Sequence, residues 1–125
     1  MSRMSREIAQ HMSVLCEPGE NQLVATFLFP TDFIGFQGHF PGKPILPGVC
    51  EIQAVLAMLS SWRSKNIRLG AVRLAKFLAP IGVDEEIEVT CEVTREDFRG
   101  LAVKAIVSVA GTQKALLWIE ASIEE

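Results

Sequence analysis

Residues 38–59 read GHFPGKPILPGVCEIQAVLAML, and this stretch decides the fold. Its first half sets one histidine among three prolines and three glycines, which predicts a stiff loop because proline fixes the backbone angle φ. From Val49 to about Arg63 the chain has no glycine or proline, and it is apolar nearly all round for three turns. A helix without a polar face is a buried helix, so we predict one long central helix here. Only Glu51 and Gln53 interrupt its apolar start.

The segments around this helix have the alternation of β-strands. In EIEVTCEVTR (86–95) polar and apolar residues alternate with a period of two, which is typical of a strand with one solvent-exposed face and one buried face. Short turn sequences at 96–100 and 110–113 predict antiparallel hairpins. The predicted strands cover 21–29, 68–80, 86–95, 101–109 and 114–123. The extreme N-terminus fits either a helix or an irregular lead into a strand.

These elements predict an α+β fold, with about five or six antiparallel strands wrapped around one helix. A length of 125 residues and the lack of any repeat or linker indicate a single domain over 1–125. An open sheet of this size has edges, and such edges are commonly paired with a second copy. We therefore expect a homodimer or a higher oligomer.

Composition narrows the classes of function. The net charge of −3 gives no indication of nucleic-acid binding. No apolar run is long enough for a membrane span, and the start MSRMSREIAQH lacks the apolar core of a signal peptide. The cysteines, at 16, 50 and 91, have no CxxC spacing, which predicts reduced, buried thiols in a cytoplasmic protein without a zinc site. His11 is isolated, and we assign it no role.

The loop GHFPGKPILPGV resembles the signature loop of the FabA/FabZ-type β-hydroxyacyl-acyl-carrier-protein dehydratases, which have the hotdog fold. AKFLAPI (75–81) followed by VDEEIEV resembles a strand, its proline and the next strand of that family. The usual His-Arg-containing opening of the family is missing from SREIAQHMSVLCE. The resemblance implies a substrate carried as an acyl thioester on phosphopantetheine, of acyl-carrier protein or coenzyme A. It also implies a place in fatty acid or polyketide-type lipid biosynthesis, with no cofactor.

The resemblance gives roles to the loop residues. It implies that His39 is the base that removes the proton alpha to the thioester carbonyl, and that the backbone N–H of Gly48 binds the carbonyl oxygen. Both roles agree with physical chemistry, because a histidine pKa lies near neutral pH and a helix N-terminus has free N–H donors. Phe40 and Pro47, together with Val49, are expected to line the acyl site.

The family has a carboxylic acid fourteen residues after its histidine, supplied by the opposite protomer, and here that position is Gln53. An amide has no titratable proton to give, so the resemblance predicts slow dehydration that Gln53→Glu would accelerate. The side chain of Glu51 lies about 200° around the helix from that of Gln53. Glu51 is expected to cap the helix start. A substitute acid role for Glu51 stays open. Cys50 is expected to pack, or else to border the site.

Three functions remain open after the sequence. The first is an enzyme acting on 3-hydroxyacyl or 2-enoyl thioesters, with Gln53 orienting the hydroxyl group or water. The second is a weak or silent subunit of a heterodimer, in which an acid-bearing partner completes His39. The third is a hotdog thioesterase. Arg73 and Lys76 are expected to be ordinary strand positions, or else contacts for an acidic carrier protein.

Overall fold

The computed structural model describes residues 2–37 and 42–124. Two α-helices, one short 3-10 turn and six strands make up this part of the chain. In chain order they are α1 (Arg3–Gln10), β1 (Cys16–Gly19), β2 (Gln22–Phe27), the 3-10 turn (Ile34–Phe36), α2 (Gly48–Arg63), β3 (Asn66–Phe77), β4 (Ile87–Asp97), β5 (Gly100–Val109) and β6 (Thr112–Glu124).

The strands form one antiparallel sheet in the order β1-β2-β4-β5-β6-β3. Two-residue turns join β4 to β5 and β5 to β6, since Asp97 pairs with Gly100 and Val109 with Thr112. In the second turn Ala110 and Gly111 both have positive φ, as tight hairpins require. Both predicted hairpins are therefore confirmed.

Helix α2 packs its apolar stripe against one face of the sheet. Ala54, Val55, Met58 and Leu59 recur at helical spacing, and all are at most 3% exposed. The Sγ atom of Cys91, on β4, lies 3.8 Å from the Sδ atom of Met58. The core is therefore built between this stripe and the inward-facing residues of the strands.

The predicted α+β architecture is confirmed, with a sheet of six strands and one long central helix. The five predicted strands correspond to β2–β6, and α2 begins at Gly48, one residue before the predicted start. The N-terminus is a helix, α1, and its Ser2 hydroxyl accepts a hydrogen bond from the Ser5 amide at the start. The short β1 was not predicted. Cys16 is exposed, which makes the prediction of a buried thiol wrong there; Cys50 and Cys91 are buried, as predicted.

The two edges of the sheet differ greatly in length. β1 has four residues, whereas β3, at the other edge, has twelve. Every residue from Val72 to Leu78 is exposed, and four of these side chains are large and apolar: Val72, Leu74, Phe77 and Leu78. A long apolar edge of this kind favours pairing with another chain. Among the helices of the described ranges, none has both the length and the apolar character needed to cross a membrane.

Candidate active site

The N-terminus of α2 has no side-chain cap among the described residues. Pro47 occupies the N-cap position, where it has no side chain that can accept a hydrogen bond from the first turn. The first N–H groups of a helix have no acceptor within the helix, and the positive end of the helix dipole lies among them. The segment before Pro47 is fixed because the Leu46 amide donates to the Ile81 carbonyl at 2.8 Å. This terminus can therefore stabilise negative charge that develops on a substrate oxygen.

The aromatic ring of Phe77, at the end of β3, lies against Gly48. A Cβ atom at Gly48 would come within 2.6 Å of the Cζ atom of that ring, which is closer than real Cβ atoms approach. A side chain at the first helical position would therefore have to displace the ring of Phe77. The half-exposed ring forms one wall beside the Gly48 amide.

Glu51 does not cap the helix, so that expectation is wrong. Its side chain is only 6% exposed, and its Oε1 atom has no hydrogen-bond partner among the described residues. The reason is rotational: Glu51 begins the same stripe that continues through Ala54, Val55 and Met58, so its side chain points under the helix. A buried carboxyl oxygen without a partner is energetically unfavourable, and it calls for an explanation in function.

Burial raises the pKa of Glu51 from the ordinary value of 4.5 to about 7. No charged side chain of the described residues adds to this shift. The neighbouring Cys50 thiol has its pKa raised to about 11, by burial first and by the Glu51 charge second. Near neutral pH the site therefore holds a neutral thiol and a carboxyl group that can give or take a proton.

Gln53 lies on the side of α2 opposite to Glu51, where it contacts α1. The Ser5 hydroxyl donates to the Gln53 Oε1 atom at 3.2 Å, and the Ser2 hydroxyl in turn donates to Ser5 at 3.0 Å. Because Oε1 is occupied, Gln53 has its NH₂ group left to donate. The half-buried Gln53 lines a cleft of about 700 Å³, which Asn66 and Ile67 at the start of β3 also line.

Helix α1 is held in place by contacts at both of its ends. The Oε1 atom of Glu7 accepts a hydrogen bond from the Ile34 amide at 3.2 Å, and its Oε2 atom pairs with Arg3 at 2.8 Å. Both bonds lower the pKa of Glu7, and the bond with Arg3 has the larger effect. The Cys50 thiol lies 3.7 Å from the Met4 sulfur, so the packing prediction for Cys50 is confirmed. Glu7 thereby ties α1 to the 3-10 turn that leads into the loop.

The predicted site residues fall into three groups. His39 and Phe40 lie outside the described residues. Gly48 begins α2, with Pro47 before it and Val49, 53% exposed, after it. Gln53 lies about 140° around the helix from Gly48 and therefore faces elsewhere.

Two contacts at the site were missed by the sequence reasoning. Phe77 lies within AKFLAPI, so the family-like strand carried a signal for it. Ser5 gave none, because it precedes Gln53 by 48 residues in a helix of undecided structure. Of the two strand cations, Arg73 pairs with Glu120 at 2.7 Å, and both Arg73 and Lys76 are exposed on β3.

Comparison with known proteins first identifies the class. The dehydratase heterocomplex ApeI:P from Xenorhabdus doucetiae aligns with a TM-score of 0.74 at 16% identity, covering 89% of this chain and 96% of that chain. The antiparallel sheet around α2 and this structural match define a hotdog-fold protein. A family model described as ApeI-like, ApeI dehydratase, matches residues 15–112. The chain belongs to this family of FabA/FabZ-type hotdog dehydratases.

Two curated relatives agree with this assignment. The 3-hydroxyacyl-[acyl-carrier-protein] dehydratase FabZ of Latilactobacillus sakei is 35% identical over 104 residues, covering 76% of this chain and 72% of the relative. The FabZ of Clostridium acetobutylicum is 35% identical over 83 residues, covering 61% of this chain. The chain spans 59% of the length of that second relative.

Proposed function

We propose that this protein is a dehydratase of 3-hydroxyacyl thioesters, which it converts reversibly into 2-enoyl thioesters and water. The observation that carries the proposal is the uncapped N-terminus of α2, with Gly48 at its first position and the ring of Phe77 against it. A thioester oxygen bound to the Gly48 amide would gain the hydrogen bond and the helix dipole as enolate character develops. Family membership supports the same reaction class.

In this proposal His39 removes the proton from the carbon next to the thioester carbonyl. The support is its position in the GHFPG motif and the suitability of imidazole as a base near neutral pH. Phe40, Pro47 and Val49 line the path of the acyl chain. The acyl group is carried on phosphopantetheine, of acyl-carrier protein or coenzyme A, as the curated relatives' name indicates for acyl-carrier protein. The proposed setting is lipid biosynthesis in the cytoplasm.

We further propose that the working unit is a dimer joined through β3. Two β3 strands paired antiparallel about their centres would place the Phe77 end of one strand beside the Asn66 end of the other. Asn66 and Ile67 line the same cleft as Gln53. The Gln53 amide of one protomer would then meet the loop of its partner, where its NH₂ group orients the substrate hydroxyl or water.

The test is hydration of crotonyl-coenzyme A, followed by the loss of enoyl absorbance. We expect activity in the wild-type protein and a loss of at least about 100-fold in His39→Ala. Folding of the variant is verified by circular dichroism. Equal rates in both proteins would refute the role of His39, and a wild-type protein without activity would refute the proposed function.

A second candidate is a subunit of a heterodimeric dehydratase. Two points support it: the motif resemblance puts Gln53 at the position of the family's acid, and a structural relative is a dehydratase heterocomplex. In that case Gln53→Glu restores the missing acid and raises the hydration rate of the isolated protein by about 100-fold or more. If Gln53→Glu leaves the rate unchanged, no acid is missing at that position and the heterodimer proposal loses its basis.

A further inference from the structure

The structure assigns a catalytic role to Glu51: we propose that it is the acid of the dehydratase and that it acts on the substrate bound to its own protomer. This proposal rests on the proposed function above. Glu51 would supply the acid that Gln53 cannot provide, and it would do so from a different face of the same helix. The carboxyl group is buried, and its Oε1 atom has no hydrogen-bond partner among the described residues.

The helix places Glu51 close to the carbonyl-binding amide. Gly48 and Glu51 are three residues apart, which puts them within about 60° around the helix and about 4.5 Å along it. In a 3-hydroxyacyl thioester the hydroxyl carbon is two carbons beyond the carbonyl, so one helical turn suits the separation between the two groups. Gln53, by contrast, lies about 140° from Gly48 and faces α1.

A structural role explains Glu51 poorly. The stripe below it consists of Ala54, Val55, Met58 and Leu59, and an apolar residue would complete that stripe without burying a polar oxygen. Glu51 is also the only buried charged or polar side chain among the described residues. An unfavourable group retained at a helix N-terminus that can bind substrate is typical of a functional residue.

The chemical environment keeps the proton available. Burial is the cause of the raised pKa of Glu51, and its titratable neighbour on α2, Cys50, remains neutral near pH 7. No other charged group of the described residues, on α1, the 3-10 turn, β3 or the strands under α2, contributes to the shift. The carboxyl group can therefore donate its proton near neutral pH and take it back afterwards.

The resulting step is balanced. His39 takes the proton from the second carbon, and the electron pair of that C–H bond forms the double bond between the second and third carbons. The C–O bond at the third carbon breaks, and its electron pair leaves on oxygen. Glu51 gives that oxygen its proton, so water departs. His39 then holds one extra proton and Glu51 is a carboxylate, until a proton passes from the imidazolium to the carboxylate through solvent.

The experiment compares crotonyl-coenzyme A hydration by wild type, Glu51→Gln, Glu51→Leu and the control Glu88→Gln, an exposed position on β4. Each variant is also unfolded in urea. We expect both Glu51 variants to lose about 100- to 10,000-fold in rate while staying folded, with Glu51→Leu unfolding at a higher urea concentration than wild type. A purely structural carboxyl group would instead leave the Leu variant active.

The pH dependence provides a second readout. The wild-type rate is expected to follow a bell-shaped pH profile, because the active form needs one of the two groups protonated and the other deprotonated. In Glu51→Gln only His39 titrates, so the residual rate should change in one direction with pH and level off at a plateau. Wild-type rates in both Glu51 variants would overturn this assignment while leaving the proposed function intact, provided that His39→Ala is inactive. A wild-type protein without hydration activity would overturn both.

Discussion

Replacing Glu51 by glutamine tests the buried carboxyl group without any substrate. Burial raises the pKa of Glu51 from 4.5 to about 7, so the folded protein holds this proton more tightly than the unfolded chain does. The free energy of unfolding should therefore be unaffected by Glu51 below about pH 4.5, fall between pH 4.5 and 7, and stay reduced above pH 7. The rise in the pKa from 4.5 to about 7, at 1.36 kcal/mol per pKa unit, gives a total loss of about 3 kcal/mol at high pH.

Glutamine has nearly the same shape and no such proton, so Glu51→Gln should lack this loss. Urea unfolding of both proteins at pH 5 and pH 8, at one protein concentration, measures the difference. About 2.5 kcal/mol of this loss falls between pH 5 and pH 8, and at a typical slope of about 2 kcal/mol per M this corresponds to roughly 1.2 M in the midpoint of unfolding. The ion-paired Glu7, Asp97 and Glu120 have lowered pKa values and change stability in the opposite direction, but they are the same in both proteins and cancel.

The exposed Glu88 is the control: Glu88→Gln should change with pH as wild type does. If wild type and Glu51→Gln lose stability equally between pH 5 and pH 8, the Glu51 carboxyl is not held in a desolvated site. Burial would then not hold a proton on Glu51 near neutral pH.

Three further predictions concern the surroundings of the site. Gly48→Ala should lower stability by about 1–3 kcal/mol in thermal unfolding, because its Cβ meets the ring of Phe77, and Phe77→Leu should relieve much of that loss. Ser5→Ala should raise the KM for the enoyl thioester several-fold more than it lowers kcat, since it releases the hydrogen bond that orients Gln53. Val72→Lys should convert the proposed dimer into a monomer in sedimentation analysis, because a charge on the exposed β3 edge opposes pairing.

The glycine and β3-edge substitutions each have a matched control. Gly82→Ala should be neutral, because a Cβ at Gly82 has no neighbour closer than 4.0 Å. Phe98→Lys, at the fully exposed turn between β4 and β5, should leave the oligomeric state unchanged. An unchanged stability in Gly48→Ala would contradict the packing of the ring, and a Val72→Lys protein that stays dimeric would contradict pairing through β3.

The sequence predicted the architecture well because its signals are local. Alternation along 86–95 and the short turns after it lead directly to β4, β5 and their hairpins, and the apolar run after Gly48 leads to α2. The short β1 was missed because CEPG has neither alternation nor β-rich composition. α1 depends on contacts with residues far along the chain, such as the bonds of Glu7 to Ile34 and of Ser5 to Gln53.

The site was predicted only in part, and Glu51 shows why. Sequence position alone suggested an acid in a first helical turn, which is typical of a cap. Whether such a side chain turns outward to the backbone or inward to the core depends on what the helix packs against, and that is a tertiary property. The structure places Glu51 on the buried stripe, 6% exposed, which changes its interpretation from a cap to a candidate acid.

The most direct test of the account asks whether base and acid belong to one protomer. Differently tagged His39→Ala and Glu51→Gln chains are co-expressed, and the mixed dimer is purified through both tags and tested for crotonyl-coenzyme A hydration. If Glu51 serves its own protomer, neither site of the mixed dimer is complete and the sample stays as inactive as the two single variants. Recovery of about half the wild-type rate per dimer would mean that the acid crosses to the partner's site, and it would contradict the account.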